Sequence, residues 1–142
     1  SQEMSNLSSF LILECLEIIE NKEEKFIPQN HSKATYAKKI EKAETKINWN
    51  DKAKKIIAKI NGLYPRPGCW FELNGSRIIV LEAKEIKATG KPGEIINDHF
   101  TIACSENAIQ IVQLKKEGKS DMSATSFLTG NKLKIGSNLN DA

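Results

Sequence analysis

Asn74 and Gly75 lie between two segments, residues 70–73 and 77–86, in which apolar and polar residues largely alternate. Both turn residues tolerate a positive φ angle, which the tightest two-residue hairpin turns require. Alternation with a period of two indicates strands whose successive side chains point to opposite faces. The chain is therefore predicted to form a β-hairpin here, and the rest of the fold must accommodate an antiparallel sheet.

Further short strands are expected on both sides of this hairpin. Residues 100–104 and 108–114 read as a pair around a turn at 105–107, whereas residues 89–97 form a turn-rich excursion with Gly90, Pro92 and Gly93. Residues 46–49 are predicted as a first strand and residues 132–135 as a last one. Five or six short strands with an inserted helix indicate a small closed or nearly closed barrel, a mostly β fold with helices.

The inserted helix follows residue 52, and its buried face is predicted from apolar residues at helical spacing, namely Ala53, Ile56, Ile57 and Ile60. Asn50 or Asp51 is expected to cap its first turn through a side-chain oxygen. Gly62 is expected to end it in the left-handed conformation. A second helix is predicted over residues 122–128, capped by Ser123 and ended by Gly130.

An additional helix is predicted near the N-terminus, over residues 5–20. It is apolar around most of its circumference, and its glutamates form only a narrow stripe. Such a helix needs partners on more than one side, which a small downstream barrel does not obviously supply. Residues 21–33 are polar and contain Pro28, so they are predicted to be a linker. The expected organisation is an orphaned helix (1–20), a linker (21–33) and a domain (34–142).

The chain offers little for catalysis or metal binding. His31 lies in the polar linker, and the pair Asp98-His99 is expected to be a strand-edge contact. A metal site would need three or four converging ligands. The cysteines lack any C-x-x-C pair and are expected to be reduced cytosolic thiols, with the last two buried: Cys15, Cys69 and Cys104. No catalytic residue, metal site or membrane-spanning segment is predicted.

The net charge of +3 conceals an asymmetry along the chain. Residues 1–32 carry two lysines against six carboxylates, whereas residues 33–142 carry nineteen Lys and Arg against twelve Asp and Glu. A basic domain behind an acidic leader suggests a polyanionic partner for the domain. On the charge alone, a lysine surface that only keeps the domain soluble is the preferred alternative. The candidate phosphate contacts are Lys33, Lys38, Lys39, Lys42, Lys84, Lys87, Lys91, Lys115, Lys116 and Lys119.

Aromatic residues make up only 6% of the chain, and Trp49, Trp70, Phe71 and Phe100 fall in strand patterns that favour the core. This argues against base stacking on single strands and for contact with the backbone of folded, double-stranded RNA. Arg66 lies between two prolines. A rigid phosphate contact is one role for it, but a structural role, covering Trp70 or pairing with Glu72, is preferred.

Several segments occur in the order found in a known family. They are Ala34-Thr35-Tyr36-Ala37-Lys38-Lys39-Ile40, Ile47-Asn48-Trp49, Tyr64-Pro65-Arg66-Pro67-Gly68-Cys69-Trp70-Phe71, Gly90-Lys91-Pro92-Gly93-Glu94-Ile95-Ile96, Gly118-Lys119-Ser120-Asp121-Met122-Ser123-Ala124 and Phe127-Leu128-Thr129-Gly130. Together they resemble the C-terminal domain of the methionyl-tRNA formyltransferase family, and the resemblance covers nearly the whole chain.

The resemblance implies an OB-like barrel that clasps initiator Met-tRNA. It also implies that formyl transfer from 10-formyltetrahydrofolate belongs to an N-terminal catalytic domain missing from this chain, whose last helix is residues 1–20. No cofactor is expected in the fragment, and the parent is expected to be a cytoplasmic monomer. Asn30-His31 superficially resembles the catalytic asparagine and histidine of the family, but its polar linker surroundings exclude that role.

Two alternatives remain open from the sequence. The chain resembles, less closely, the C-terminal domain of another folate-dependent formyltransferase or of a formyltetrahydrofolate hydrolase, although its lysine richness favours the tRNA enzyme. A free-standing OB-like interaction module is the other alternative, and the apolar N-terminal helix counts against it because an independent module should not expose such a surface.

Overall fold

A single long helix, α1 (Gln2–Glu20), dominates the first of the two units of this computed structural model, which describes residues 2–140. The first unit is Ser1–Lys38 and the second is Lys39–Ala142. After α1 the chain is irregular except for a 3-10 turn at His31–Lys33, whose preceding Asn30 accepts a hydrogen bond from the Ser32 amide at 3.0 Å. Glu3 to Lys38 are all exposed, so this unit has no core of its own.

The second unit is a curled antiparallel sheet with two helices. Its elements are α2 (Ala53–Leu63), β1 (Cys69–Leu73), β2 (Ser76–Ile86), β3 (Ile95–Asn97), β4 (Thr101–Ala103), β5 (Ala108–Lys116), β6 (Asp121–Ser123) and α3 (Ala124–Gly130). The strand order is β1-β2-β5-β4-β3, and β6 also pairs with β5. The predicted mostly β class with an inserted helix is confirmed, and the curled sheet is consistent with an OB-like fold.

The hairpin predicted at Asn74-Gly75 is present. Both residues have positive φ angles, 50° and 69°, and Leu73 pairs directly with Ser76 across the turn. Further along β2 the pairing with β5 shifts register on both sides of Glu82. Such irregularities bend a strand and increase its twist, which is how an 11-residue strand can take part in a curled sheet.

The core lies between the inner face of the sheet and α2. Trp49, Phe71, Phe100 and Phe127 form a continuous row with ring centroids 5.5, 6.0 and 5.8 Å apart. From α2 the predicted residues Ala53, Ile56 and Ile60 are buried, and Ile57 is partly buried. Each large apolar side chain removed from water stabilises the fold by about 1.5–3 kcal/mol, so this row and the α2 face anchor the unit.

Both terminal strands of the prediction are wrong. Residues 43–45 form a 3-10 turn, after which Lys46 makes only an isolated parallel bridge to Trp70. Residues 132–135 are irregular, and the following tail takes the edge of β3 instead: the Gly136 amide donates to Ile95 O at 2.8 Å and the Leu139 amide to Gly93 O at 2.9 Å. Residues 46–49 do alternate between exposed and buried, but their pairing with β1 is limited to the Lys46 bridge and the Ile47 amide, which donates to Trp70 O at 2.8 Å, so it is too short to form a strand.

The predicted ends of α2 are wrong, whereas the predicted ends of α3 are correct in part. Neither Asn50 nor Asp51 caps α2, because the Ala53 amide is satisfied by Glu106 O at 3.1 Å from a distant turn. Gly62 lies inside α2 and lacks a positive φ angle; the left-handed residue is Gly68, at φ 78°. Ser123 does cap α3, accepting the Ser126 amide at 3.1 Å, although Met122 belongs to β6 and α3 includes Gly130.

Candidate nucleic-acid interface

Four of the predicted lysines lie near the junction of the two units. Lys33 ends the 3-10 turn of the first unit, and Lys38 is its last residue. Lys39 begins the second unit, and Lys42 precedes the 3-10 turn at Ala43–Thr45. All four side chains are exposed, as phosphate contact requires.

Three more predicted lysines lie in the last part of β2 and in the connection that follows it. Lys84 is paired with Gln110 of β5, and Lys87 and Lys91 follow in the connection to β3. Lys84 lines a groove of about 540 Å³ in the second unit, together with Asp98, His99 and residues of α3. In the adjoining turn the Glu94 carboxylate accepts a hydrogen bond from the Lys91 backbone amide at 2.9 Å. The Lys91 side chain is exposed.

The last three predicted lysines lie at the other end of β5. Lys115 and Lys116 pair with Ile79 and Ile78 of β2, and the Lys119 amide donates to Lys116 O in the turn to β6. Gln110 and Lys115 are five positions apart on one strand, a distance of about 17 Å. The structure therefore places these lysines and the Lys84 group at opposite ends of β5.

The lysines also differ in whether a carboxylate lies within ion-pair distance. Lys52, which precedes α2, and Lys55 of α2 form ion pairs with Glu106 and Asp51, each at 2.7 Å. The hydrogen bond and charge of Glu106 raise the pKa of Lys52. Of the ten candidates only Lys115 has an ion-pair partner within residues 2–140, Asp121 at 3.5 Å. Exposed pairs add little stability, so their consequence here is that α2 presents less free positive charge than its sequence implies.

Trp70 is a residue that the sequence interpretation misplaced. It alternates with the buried Cys69 and Phe71 and so points to the outer face, where it is half-buried. The Arg77 guanidinium lies 3.9 Å from its ring centroid and the Lys46 ammonium 5.4 Å away. Arg77 was missed as a partner, although the period of two already placed Trp70 outside. The Arg77 guanidinium therefore occupies a face of the Trp70 ring on which a base could otherwise stack.

The preferred structural role of Arg66 is wrong. Glu72 pairs with Lys46 at 3.2 Å, and Trp70 is covered by Arg77. Arg66 is exposed and has no ion-pair partner among residues 2–140. It lines a cleft of about 370 Å³ on the outer side of the sheet, together with Tyr64, Pro65, Pro67, Ile79, Leu81, Lys115 and Asp121.

The histidines and buried cysteines considered for catalysis lie in positions that do not support it. His99 Nε2 lies 3.6 Å from Asp98 Oδ1, too far for a hydrogen bond, and both side chains are mostly exposed. His31 is exposed. Burial raises the pKa of the Cys69 thiol, and it raises that of the Cys104 thiol to about 11. Both thiols are therefore protonated at neutral pH and are poor nucleophiles.

The three cysteines are free, with Cys69 and Cys104 buried as predicted and Cys15 exposed. In the described part of the chain, His, Cys, Asp and Glu nowhere gather in a group of three or more that could bind a metal ion. Among the helices within residues 2–140, none has the length and apolar content that a membrane span needs.

A curled antiparallel sheet with an inserted helix, and with lysines at both ends of β5, defines a small mostly β domain. The family described as "Formyl transferase, C-terminal domain" matches residues 39–132 of this domain. The chain belongs to that family, as its motifs predicted.

The named relatives agree with this assignment. A methionyl-tRNA formyltransferase of Bradyrhizobium diazoefficiens is 39% identical over 137 residues, covering 94% of this chain and 44% of that protein. One of Pelagibacter ubique is 37% identical over 140 residues, covering 98% and 45%. The chain thus spans less than half the length of these relatives.

A solved structure, HypX from Aquifex aeolicus in complex with tetrahydrofolic acid, shares the fold with a TM-score of 0.68 and 19% identity. The match covers 89% of this chain and 26% of HypX.

Proposed function

We propose that the second unit holds the tRNA substrate of a methionyl-tRNA formyltransferase. The observation that carries the proposal is the set of candidate lysines without a carboxylate partner in residues 2–140, which is all ten except Lys115. Eight of these nine are exposed, and Lys116 is partly buried. The names of the relatives give the polyanion its identity, because methionyl-tRNA is the substrate that those names state. The charges at both ends of β5 lie about 17 Å apart, which suits the extended backbone of a folded RNA better than one small anion.

Formyl transfer itself is proposed to take place in a region of the parent that this chain does not contain. The relatives are more than twice as long as the match. The part they share with this chain has Cys69 and Cys104 buried, Cys15 exposed on α1, and its histidines outside any catalytic arrangement. The proposed formyl donor of the parent is 10-formyltetrahydrofolate. The tetrahydrofolate named in the HypX structure supports folate chemistry in this structural class.

Residues 1–20 are proposed to be the last helix of that catalytic region, residues 21–33 a linker, and residues 34–142 the tRNA-binding domain. The support is the exposure of the apolar side chains of α1, from 42% at Ile18 to 73% at Met4. Burial of such a surface needs an apolar partner. The parent is proposed to be a cytoplasmic monomer, because aminoacylated initiator tRNA is used where translation takes place.

The test is a titration of the purified chain with initiator tRNA at several salt concentrations. If about five phosphates are engaged, the logarithm of the association constant should fall against the logarithm of salt with a slope of about −3.5 to −4.5. The double variant Lys84→Ala/Lys87→Ala should weaken binding and reduce the slope by about 1.5–2.

The matched control is Lys52→Ala/Lys55→Ala, which removes the same charge from lysines that are already ion-paired. It should leave the slope nearly unchanged. Absence of tRNA binding at low salt would refute the proposed function. In that case a formyltransferase or hydrolase acting on a smaller substrate would become the better assignment for the parent.

A further inference from the structure

A second kind of surface lies beside the Lys115, Lys116 and Lys119 group. It is the cleft of about 370 Å³ in which Arg66 and Tyr64 meet the outer face of β2 and β5. Its volume falls in the range of small-molecule sites. The larger groove beside Lys84 has no tyrosine or arginine in its lining, so the two surfaces differ in the chemistry that they offer.

The walls of the cleft are apolar and aromatic. Ile79 and Leu81 project from β2, and each is only partly buried. Tyr64, immediately after α2, is 55% exposed. Its backbone amide is held by Ile60 O at 3.0 Å, so the ring is carried by an anchored backbone position. An exposed aromatic ring beside aliphatic side chains is the arrangement on which bases stack without sequence preference.

The polar groups of the cleft are arranged around this apolar surface. Arg66 is flanked by Pro65 and Pro67, whose rings restrict the backbone, and it has no ion-pair partner within residues 2–140. Lys115 lies opposite Ile79 on β5 and pairs with Asp121 at 3.5 Å. Two cations and one carboxylate leave the cleft with a net positive charge. A guanidinium binds phosphate through two parallel hydrogen bonds, and a carboxylate accepts hydrogen bonds from exocyclic amines.

We propose that this cleft binds one unpaired nucleotide of the RNA, with its base on Tyr64 and its phosphate on Arg66. The inference rests on the proposed function and makes it more specific, since backbone contacts by lysines alone do not distinguish paired from unpaired RNA. Lys115, Lys116 and Lys119 then continue the phosphate track away from the nucleotide. Trp70 does not share this role, because Arg77 covers its ring.

The test compares two single-stranded probes, a hexaribonucleotide of mixed sequence and a ribose-phosphate hexamer of the same length without bases. The intact chain should bind the hexanucleotide about five- to a hundredfold more tightly than the abasic probe, the range expected for one stacked base. Tyr64→Ala should remove this preference, whereas Tyr64→Phe should keep it because the ring remains.

Arg66→Lys tests the phosphate contact separately. It keeps the charge but loses the two-pronged geometry, so it should weaken both probes by a similar factor and leave the preference for bases intact. Lys54→Ala is the control, because Lys54 is an exposed lysine of α2 outside the cleft. Thermal unfolding should be the same for all variants, since Tyr64 and Arg66 are exposed.

The outcomes separate this inference from the proposed function. If the chain binds tRNA but binds the two hexamers equally well, the cleft is not a nucleotide site and the inference is overturned. The same holds if Tyr64→Ala retains the preference, and the cleft would then be assigned to protein contact. If the chain binds neither tRNA nor the hexamers, the proposed function fails together with the inference.

Discussion

The two units of the chain use the same apolar residue types in opposite ways. In α1 the large apolar side chains remain between 42% and 73% exposed, whereas Phe71, Ile56 and Leu114 of the second unit are at most 2% exposed. The difference lies in what surrounds them. The second unit brings a sheet and a helix together, and both contribute apolar faces to one core. The first unit has one helix, and one helix cannot enclose its own side chains.

This contrast shows that an apolar helix surface indicates that a packing partner is needed but does not identify that partner. The helical conformation of α1 follows from local spacing, and its stability in isolation is expected to be marginal. The second unit should unfold cooperatively around its aromatic row. Both tryptophans, Trp49 and Trp70, lie in the second unit, so tryptophan fluorescence reports on that unit alone.

The largest effect on the free energy of unfolding is expected from Phe71→Ala in the second unit, and Phe10→Ala in α1 is its matched control. Phe71→Ala should lower the free energy of unfolding by about 3–5 kcal/mol, because it leaves a cavity between Trp49 and Phe100. Phe10→Ala, at a side chain that is 71% exposed, should change it by less than about 0.5 kcal/mol. Urea titration followed by tryptophan fluorescence measures both. A substantial loss in Phe10→Ala would show that α1 packs onto the second unit, and the contrast would fail.

The buried Cys104 thiol should make the free energy of unfolding depend on pH in alkaline solution. Burial raises the pKa of Cys104 from 9.0 to about 11, so above pH 9 the unfolded state releases a proton that the folded state retains. The stabilisation by the neutral thiol is complete below pH 9 and is lost as the pH rises through 11. This amounts to roughly 2–3 kcal/mol.

The readout is the free energy of unfolding of Cys104→Ala and Cys15→Ser between pH 8 and pH 11 under reducing conditions. Cys104→Ala should show a shallower decline than the unmodified chain. Cys15→Ser should show the same decline, because Cys15 is exposed on α1. Identical profiles for all three proteins would mean that burial does not perturb the Cys104 thiol.

The smallest effects on stability are expected from replacing Ser123 and Ser9 by alanine. Ser123→Ala removes the oxygen that accepts the Ser126 amide and should cost about 1 kcal/mol, since α3 carries Phe127 of the core. Ser9 donates only to Asn6 O within the exposed helix, so Ser9→Ala should be nearly neutral for the second unit. Thermal unfolding of the two variants tests this directly. Equal shifts in both would indicate that the cap contributes nothing beyond a general loss of a hydroxyl group.

Local signals predicted much of the second unit correctly. The hairpin at Asn74-Gly75 is a contact between neighbours in sequence, and its turn chemistry is specified by the two residues themselves. The buried face of α2 follows from helical spacing. The cap at Ser123 likewise depends only on residues within one turn. In the candidate interface, the exposure of the lysines was predictable because ammonium groups are seldom buried.

The errors arose where a distant segment takes over a local function. Glu106 O satisfies the Ala53 amide that Asn50 or Asp51 was expected to cap, and the tail after Lys134 occupies the β3 edge in place of residues 132–135. Arg77 covers Trp70, the role considered for Arg66. In each case two groups compete for one partner, and the competition is between residues far apart in the chain.

The amino-acid sequence alone was sufficient for the class of fold, the family, the apolar face of α2 and the excess of lysine, because these depend on periodicity, motif order and composition. Three features depend on strand register and on which carboxylates come within reach. They are the positions of the lysines at the two ends of β5, the ion pairs of Lys52 and Lys55, and the exposure of Arg66 in a cleft with Tyr64. Those distances are set by closure of the sheet around its aromatic core, and no local pattern encodes them.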